Sequence, residues 1–152
     1  MLDISYFQAQ DLREMEPELR EESLEELSTL YPQKKPINAI EDMIARSDAT
    51  YTFRWNQKIA VILGVKKHSH ISNIWCKTAK WLDNEPRVFV KVTRSFSANL
   101  YKTHGAFYSV VSNKKSSRLF CKASGMRYVE TRDDGRLVFV RDNRLSEKQN
   151  GH

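Results

Sequence analysis

Two cysteines, four prolines and five glycines are all that 152 residues contain of the residues that staple or break a chain. Cys76 and Cys121 lie 45 positions apart, which is no metal-ligand spacing and no disulfide framework. No apolar run approaches the roughly 18 residues of a membrane span, so no transmembrane helix is expected. The start, Met1-Leu2-Asp3-Ile4-Ser5, has no basic region followed by an apolar one. No signal peptide is expected, the chain is expected not to be secreted, and both cysteines are expected as reduced thiols. His68-Ser69-His70 has no third ligand at a useful spacing, so no metal site is expected. No recognition-helix motif, RNA-binding signature or internal repeat is present.

What is there is enough for a folded domain. Hydrophobic residues make up 40% of the chain and aromatics 11%, and a domain of this length buries roughly 70% of its unfolded surface. The net charge of +6 is unevenly spread. Residues 1–33 hold nine acidic and two basic residues; the remainder holds 23 basic and ten acidic. The basic part can attract a polyanion, either nucleic acid or a phosphate-bearing cofactor. It can equally be balanced by the acidic front.

Periodicity predicts the elements. Ser5 to Gln10 reads as a short strand, and Asp11 as a helix cap with Glu14 as its capping-box partner. Pro17 either interrupts the acidic helix that ends near Tyr31 or starts a new one. Pro36 opens a second helix with Ile37, Ile40 and Ile44 on one face. Segments 51–55 and 59–65 read as a hairpin joined by Asn56-Gln57-Lys58, and 74–78 as the next strand. A long helix runs from Asn84-Glu85-Pro86 to about His104, with Phe89, Val92, Phe96 and Leu100 buried and Gly105 ending it. A strand at 106–111, a short helix at 116–124 and a hairpin at 128–141, turned at Asp133-Asp134-Gly135, complete the order. One domain is expected over 1–144, with a polar tail at 145–152. The layout is α/β (α+β): one mixed sheet with helices on both faces.

The run Val110 to Met126 places an apolar strand, Asn113, a short amphipathic helix, Gly125 and a new strand in one order. That order resembles the C-terminal part of the GNAT (Gcn5-related N-acetyltransferase) fold, and the likeness extends over about residues 5–142. The segments 46–49, 59–65, 74–78 and 113–125 resemble the acetyltransferase-like proteins of short-tailed bacteriophages, a group that includes internal virion and morphogenesis proteins. The resemblance implies a single GNAT-like domain and an acetyl-CoA cleft between the strands 74–78 and 106–111. It implies pyrophosphate binding by amides at the start of the following helix, where the helix dipole favours an anion. It implies cofactor contacts from Trp75, Thr78, Lys80, Arg87, Asn113 and Arg118.

Two positions depart from that family pattern. The loop Thr78 to Arg87 has no glycine, and Pro86 has no N–H to offer. Lys77, Lys80 and Arg87 could supply charge instead. Family enzymes often place a tyrosine four residues before the glycine, as proton donor to the departing thiolate; here Cys121 stands there. Cys121 and Asn113 are the catalytic candidates. Cys121 is equally a small core residue, Asn113 an N-cap or turn residue, and Trp75 a core residue. Candidates for a general base are Glu41, Asp42 and Asp48, or a water relayed by His68 or His70; each also reads as a solvated surface group.

Three functions follow. The first is transfer of acetyl from acetyl-CoA to an amine. The second is a non-enzymatic virion or morphogenesis role that keeps the fold. The third is a basic module that binds DNA or a host protein. The resemblance implies phage virion or host proteins as partners, and host cytoplasm or virion as location. Non-specific nucleic-acid contact is open to the basic residues from Lys114 to Arg144, with Phe107, Tyr108 and Tyr128 nearby.

Overall fold

In the computed structural model, which describes residues 1–144, β1 (Leu2–Tyr6) is followed by α1 (Ala9–Met15), α2 (Glu21–Leu30) and α3 (Pro36–Arg46). Next come β2 (Ala49–Trp55), β3 (Lys58–Lys67), β4 (Ser72–Thr78) and α4 (Pro86–His104). The chain then runs through β5 (Phe107–Val111), α5 (Lys115–Ala123), β6 (Arg127–Thr131) and β7 (Leu137–Arg141). Short 3₁₀ turns occupy Glu16–Glu18 and Lys80–Asn84. The tail expected at 145–152 lies outside the described residues. The seven strands form one mixed sheet in the order β1-β2-β3-β4-β5-β7-β6. β4 and β5 run parallel, pairing Ser72 with Phe107 and Asn73 with Tyr108. The pairs β1–β2, β2–β3, β5–β7 and β6–β7 are antiparallel.

Of the two readings at Pro17, the structure has the break: the acidic stretch forms two helices. Pro17 sits in the first turn of the 3₁₀ segment that separates them, where its missing N–H costs nothing. The first strand lies earlier than its sequence suggests, because Leu2 to Tyr6 pairs in register with Trp55 to Tyr51. The cap of α1 is Gln8, not Asp11. Asp11 sits one turn in, and its carboxylate accepts the Gln8 N–H at 2.8 Å.

Contacts divide the described residues into two compact units, one of residues 1–66 and 75–92, the other of residues 67–74 and 93–144. In the first, β3 is buried on both faces from Ile59 to Val65, as a central strand should be. Leu12, Met15, Leu27, Ile40 and Ile62 form its core. Asp11 ties α1 to β2: its carboxylate accepts from the Thr52 hydroxyl at 2.7 Å and from Arg54 Nη2 at 2.7 Å. In the second unit Phe96 of α4 stacks on Phe120 of α5, 5.5 Å between centroids. The Ser97 hydroxyl donates to the Ser124 carbonyl and accepts from Arg141 Nη1. Those bonds fix the C-terminal end of α5.

Candidate functional site

In the first unit the residues of interest lie on the end of β4, the 3₁₀ turn after it and the start of α4. Trp75 is half-buried, and its indole N–H donates to the Ser47 hydroxyl at 2.8 Å. Ser47 in turn donates to the Met43 carbonyl at 2.7 Å. The indole lies so close to Gly64 that a Cβ there would overlap the ring. Trp75 is thus anchored to β3 and the end of α3. Thr78 is half-buried at the strand end; Lys80 and Arg87 are exposed.

The turn after β4 uses its own amides. The Ala79 N–H donates to the Ala60 carbonyl at 2.8 Å, Leu82 to Ala79 at 3.2 Å and Glu85 to Leu82 at 3.1 Å. Trp81 locks the turn down, its indole N–H on the Ile59 carbonyl at 2.6 Å and Lys58 over its ring at 4.7 Å. Asp83 is paired with Arg20 at 2.8 Å. In α4, Pro86 has no N–H and Phe89 already donates to Glu85. The first-turn amides of Arg87 and Val88 therefore have no intrahelical acceptor. Arg87 in that first turn and Lys80 in the preceding 3₁₀ turn are both exposed.

Cys76, on β4, is not an activated thiol. Burial pushes it up to about 12, outweighing Lys77 and Arg20, which pull it down, while Glu26 adds to the rise. Among the base candidates, Asp42 is ion-paired with Lys34 and Asp48 lies 3.8 Å from Lys66. In the second unit His68 stacks against Tyr108 at 6.3 Å.

α5 carries the remaining candidates. Cys121 is fully buried on the inner face of the helix. A proton donor must reach the departing atom, and this thiol faces the core, so its burial supports the core reading. The cap of α5 is Lys114, not Asn113. Asn113 stands one residue outside the helix, its side-chain oxygen 3.4 Å from Arg118 Nη1. These two border an open hollow of about 440 Å³. Lys122, Arg127, Tyr128 and Thr131 line it further, over a floor of Met126, Leu137 and Phe139. The structure thus brings Asn113 and Arg118 together, while Trp75, Thr78, Lys80 and Arg87 belong to the other compact unit. Sequence reasoning groups Lys122, Arg127 and Tyr128 only as part of a basic face. The signal for the hollow is the i, i+4 spacing of Arg118 and Lys122 on one helix face.

Among the described residues, no group of three His, Cys, Asp or Glu side chains could hold a metal ion. No helix among them is long and apolar enough to cross a membrane. No family model matches the sequence, and no curated protein matches it. Solved structures do match the fold. The acetyltransferase AAC(6')-Ib, in complex with ribostamycin and coenzyme A, superposes with a TM-score of 0.71 at 12% identity, covering 96% of each chain. A GNAT-family acetyltransferase from Streptococcus pneumoniae gives 0.61 at 15% identity, over 93% of this chain and 98% of that one. The ribosomal-protein-S18-alanine N-acetyltransferase from Escherichia coli gives 0.58 at 12% identity, over 92% and 91%. The fold is that of the GNAT acetyltransferases. The GNAT order read from residues 110–126 is therefore present as architecture, and the activity stays with the proteins just named.

Proposed function

We propose that this chain is an acetyltransferase-like protein that binds acetyl-CoA and passes the acetyl group to an amine. The observation that carries the reading is the likeness, over nearly the whole of both chains, to an acetyltransferase solved with coenzyme A. Acetyl-CoA, when bound, would supply an acetyl carbon that forms a bond to the amine nitrogen and gives up its bond to sulfur; the amine loses one proton and coenzyme A leaves as the thiol that takes one up. The start of α4 fits an anion through the Arg87 and Val88 amides, with the helix dipole behind them. Lys80 and Arg87 add side-chain charge. The turn does not fit a glycine-type cradle, because Leu82 and Glu85 spend their amides inside it and Pro86 has none. Cys121 receives no proton-transfer role, since its thiol is sealed in the core.

A second reading keeps the fold without the transfer: a non-enzymatic internal virion or morphogenesis protein of a short-tailed bacteriophage. The self-bonded turn and the buried thiol at the tyrosine position favour it. Its partners would be virion or host proteins, in the host cytoplasm or the virion.

Thermal unfolding with and without acetyl-CoA separates the two. A ligand at 100 times its dissociation constant stabilises a protein by about 2.7 kcal/mol, several degrees for a domain of this size. The transferase reading expects that shift, and expects Arg87→Ala to diminish it. An unchanged midpoint at saturating acetyl-CoA, with coenzyme A equally silent, leaves the second reading.

A further inference from the structure

The hollow on α5, β6 and β7 lies wholly within the second compact unit. Its rim carries Arg118, Lys122 and Arg127, and none of the three is ion-paired to a carboxylate of the described residues. Tyr128 stands among them, 54% exposed. It is braced rather than loose. Its hydroxyl is 2.6 Å from the Thr131 hydroxyl, and its ring meets Phe139 edge-on at 6.0 Å between centroids. A half-exposed aromatic ring held at two points, beside cations with no carboxylate partner and over an apolar floor, offers stacking area and positive charge together. Cations alone would suit any anion. The braced ring asks for a flat partner beside the negative charge.

The surroundings carry the same sign. Residues 93–144 hold eleven basic and four acidic residues. Two of those four acids are already committed to arginines, Asp134 to Arg136 and Asp142 to Arg144. The backbone also leaves the hollow open at one side, because β6 is the last strand of the sheet. A long strand can enter and leave such a site, whereas a closed pocket admits only a small molecule.

We propose that this hollow binds single-stranded nucleic acid, with a base stacked on Tyr128 and flanking phosphates held by Arg118, Lys122 and Arg127. The shared chemistry is a phosphorylated nucleoside, and the open edge selects a strand over a free nucleotide. Stacking tolerates any base, while phosphate contacts make affinity fall with salt. The hollow shares Asn113 and Arg118 with the cofactor contacts that the resemblance implies, whereas the acetyl-CoA reading as proposed above rests on the β4–α4 turn of the other unit, so either can fail without the other.

Fluorescence anisotropy of a labelled oligothymidylate of about twelve nucleotides, titrated with the full chain, tests this. Tyr128→Ala is expected to weaken binding about five-fold or more, while Tyr128→Phe, which keeps the ring, stays within about two-fold. The pair Lys122→Ala, Arg127→Ala is expected to shallow the salt dependence by about 0.7 in slope for each phosphate no longer held. Lys102→Ala, at an exposed position of α4, should change little. The proposal is overturned if the oligonucleotide does not bind, or if Tyr128→Ala binds as the parent does. It also falls if thymidine triphosphate or acetyl-CoA displaces the strand at stoichiometric concentration, since the hollow would then be a small-ligand site. Displacement by polyglutamate, with Tyr128→Ala indifferent, would make it an acidic-peptide site instead.

Discussion

Asp11 shows how one side chain can hold more structure than its position in the sequence announces. It reads as a helix cap, but it is 3% exposed and accepts from Gln8, Thr52 and Arg54 at once. Removing it strands three donors, one of them a guanidinium that is itself mostly buried. Breaking a buried pair by deleting one partner costs about 3–5 kcal/mol, and Glu14, which also contacts Arg54, offsets part of that. Asp11→Ala should lower unfolding stability by about 3 kcal/mol in a urea titration; a loss under about 1 kcal/mol would mean that Glu14 suffices. Cys76 gives a second test at the same scale. Its thiol ordinarily titrates near 9.0 and is pushed up to about 12 in the fold. Above pH 9 the unfolded chain sheds that proton first, so stability must fall as pH rises. Tyr51 is raised as well, chiefly by burial and then by Tyr6, so the parent carries both effects. Cys76→Ala should therefore flatten, not abolish, the alkaline loss of stability, and an unchanged pH profile would contradict the burial of this thiol.

The elements are legible where a pattern is local. α5 is the best case. Its amphipathic run ends at Gly125, which adopts φ 74°, and its last carbonyls are closed in a Schellman arrangement, Met126 N–H to Cys121 and Gly125 N–H to Lys122, both at 3.0 Å. Alanine at that position meets no obstacle nearer than Arg141 at 3.8 Å, so its cost is the backbone alone, about 1–2 kcal/mol. Gly125→Ala should show that loss in thermal unfolding, and because α5 forms one wall of the hollow, strand binding should weaken with it. Gly64 is the contrasting case. Nothing in the local sequence marks it, because its need arises from Trp75, eleven residues on and on the next strand. Gly64→Ala must push the indole aside; overpacking of this kind costs about 1–3 kcal/mol, and the Trp75 to Ser47 bond would break with it. Near-ultraviolet circular dichroism should register the displaced indole, and an unaltered spectrum would argue against the close approach. The start of β1 escapes a sequence reading for the same reason, because it is set by pairing with β2, some fifty residues away. The cap at Gln8 is closed locally, by the reciprocal bonds between Gln8 and Asp11.

At the scale of the whole chain, the order of strands and helices is legible because each element carries its own period, and it is the resemblance of that order to the GNAT fold that the solved structures bear out. The candidate site is less legible. Its residues come from separated elements, and the turn after β4 has none of the glycines that would have marked it. Charge is the property that belongs to the whole chain and to no element. The front of 33 residues carries a net negative charge and the rest a larger positive one, so a polyanion approaching from a distance meets the sum of both. Glu16 and Glu21 are exposed and have no ion pair among the described residues. Neutralising them as Glu16→Gln and Glu21→Gln should leave stability within about 0.5 kcal/mol, since surface changes away from such contacts are nearly silent. Yet the same double variant should bind a polyanion more tightly at low salt, because a repulsive part of the field has gone. The gain should shrink as the Debye length falls from about 10 Å at 0.1 M salt to about 3 Å at 1 M. A gain that persisted at high salt would point to direct contact between the acidic helices and the ligand. No gain at any salt would mean that the acidic front is already neutralised within the fold.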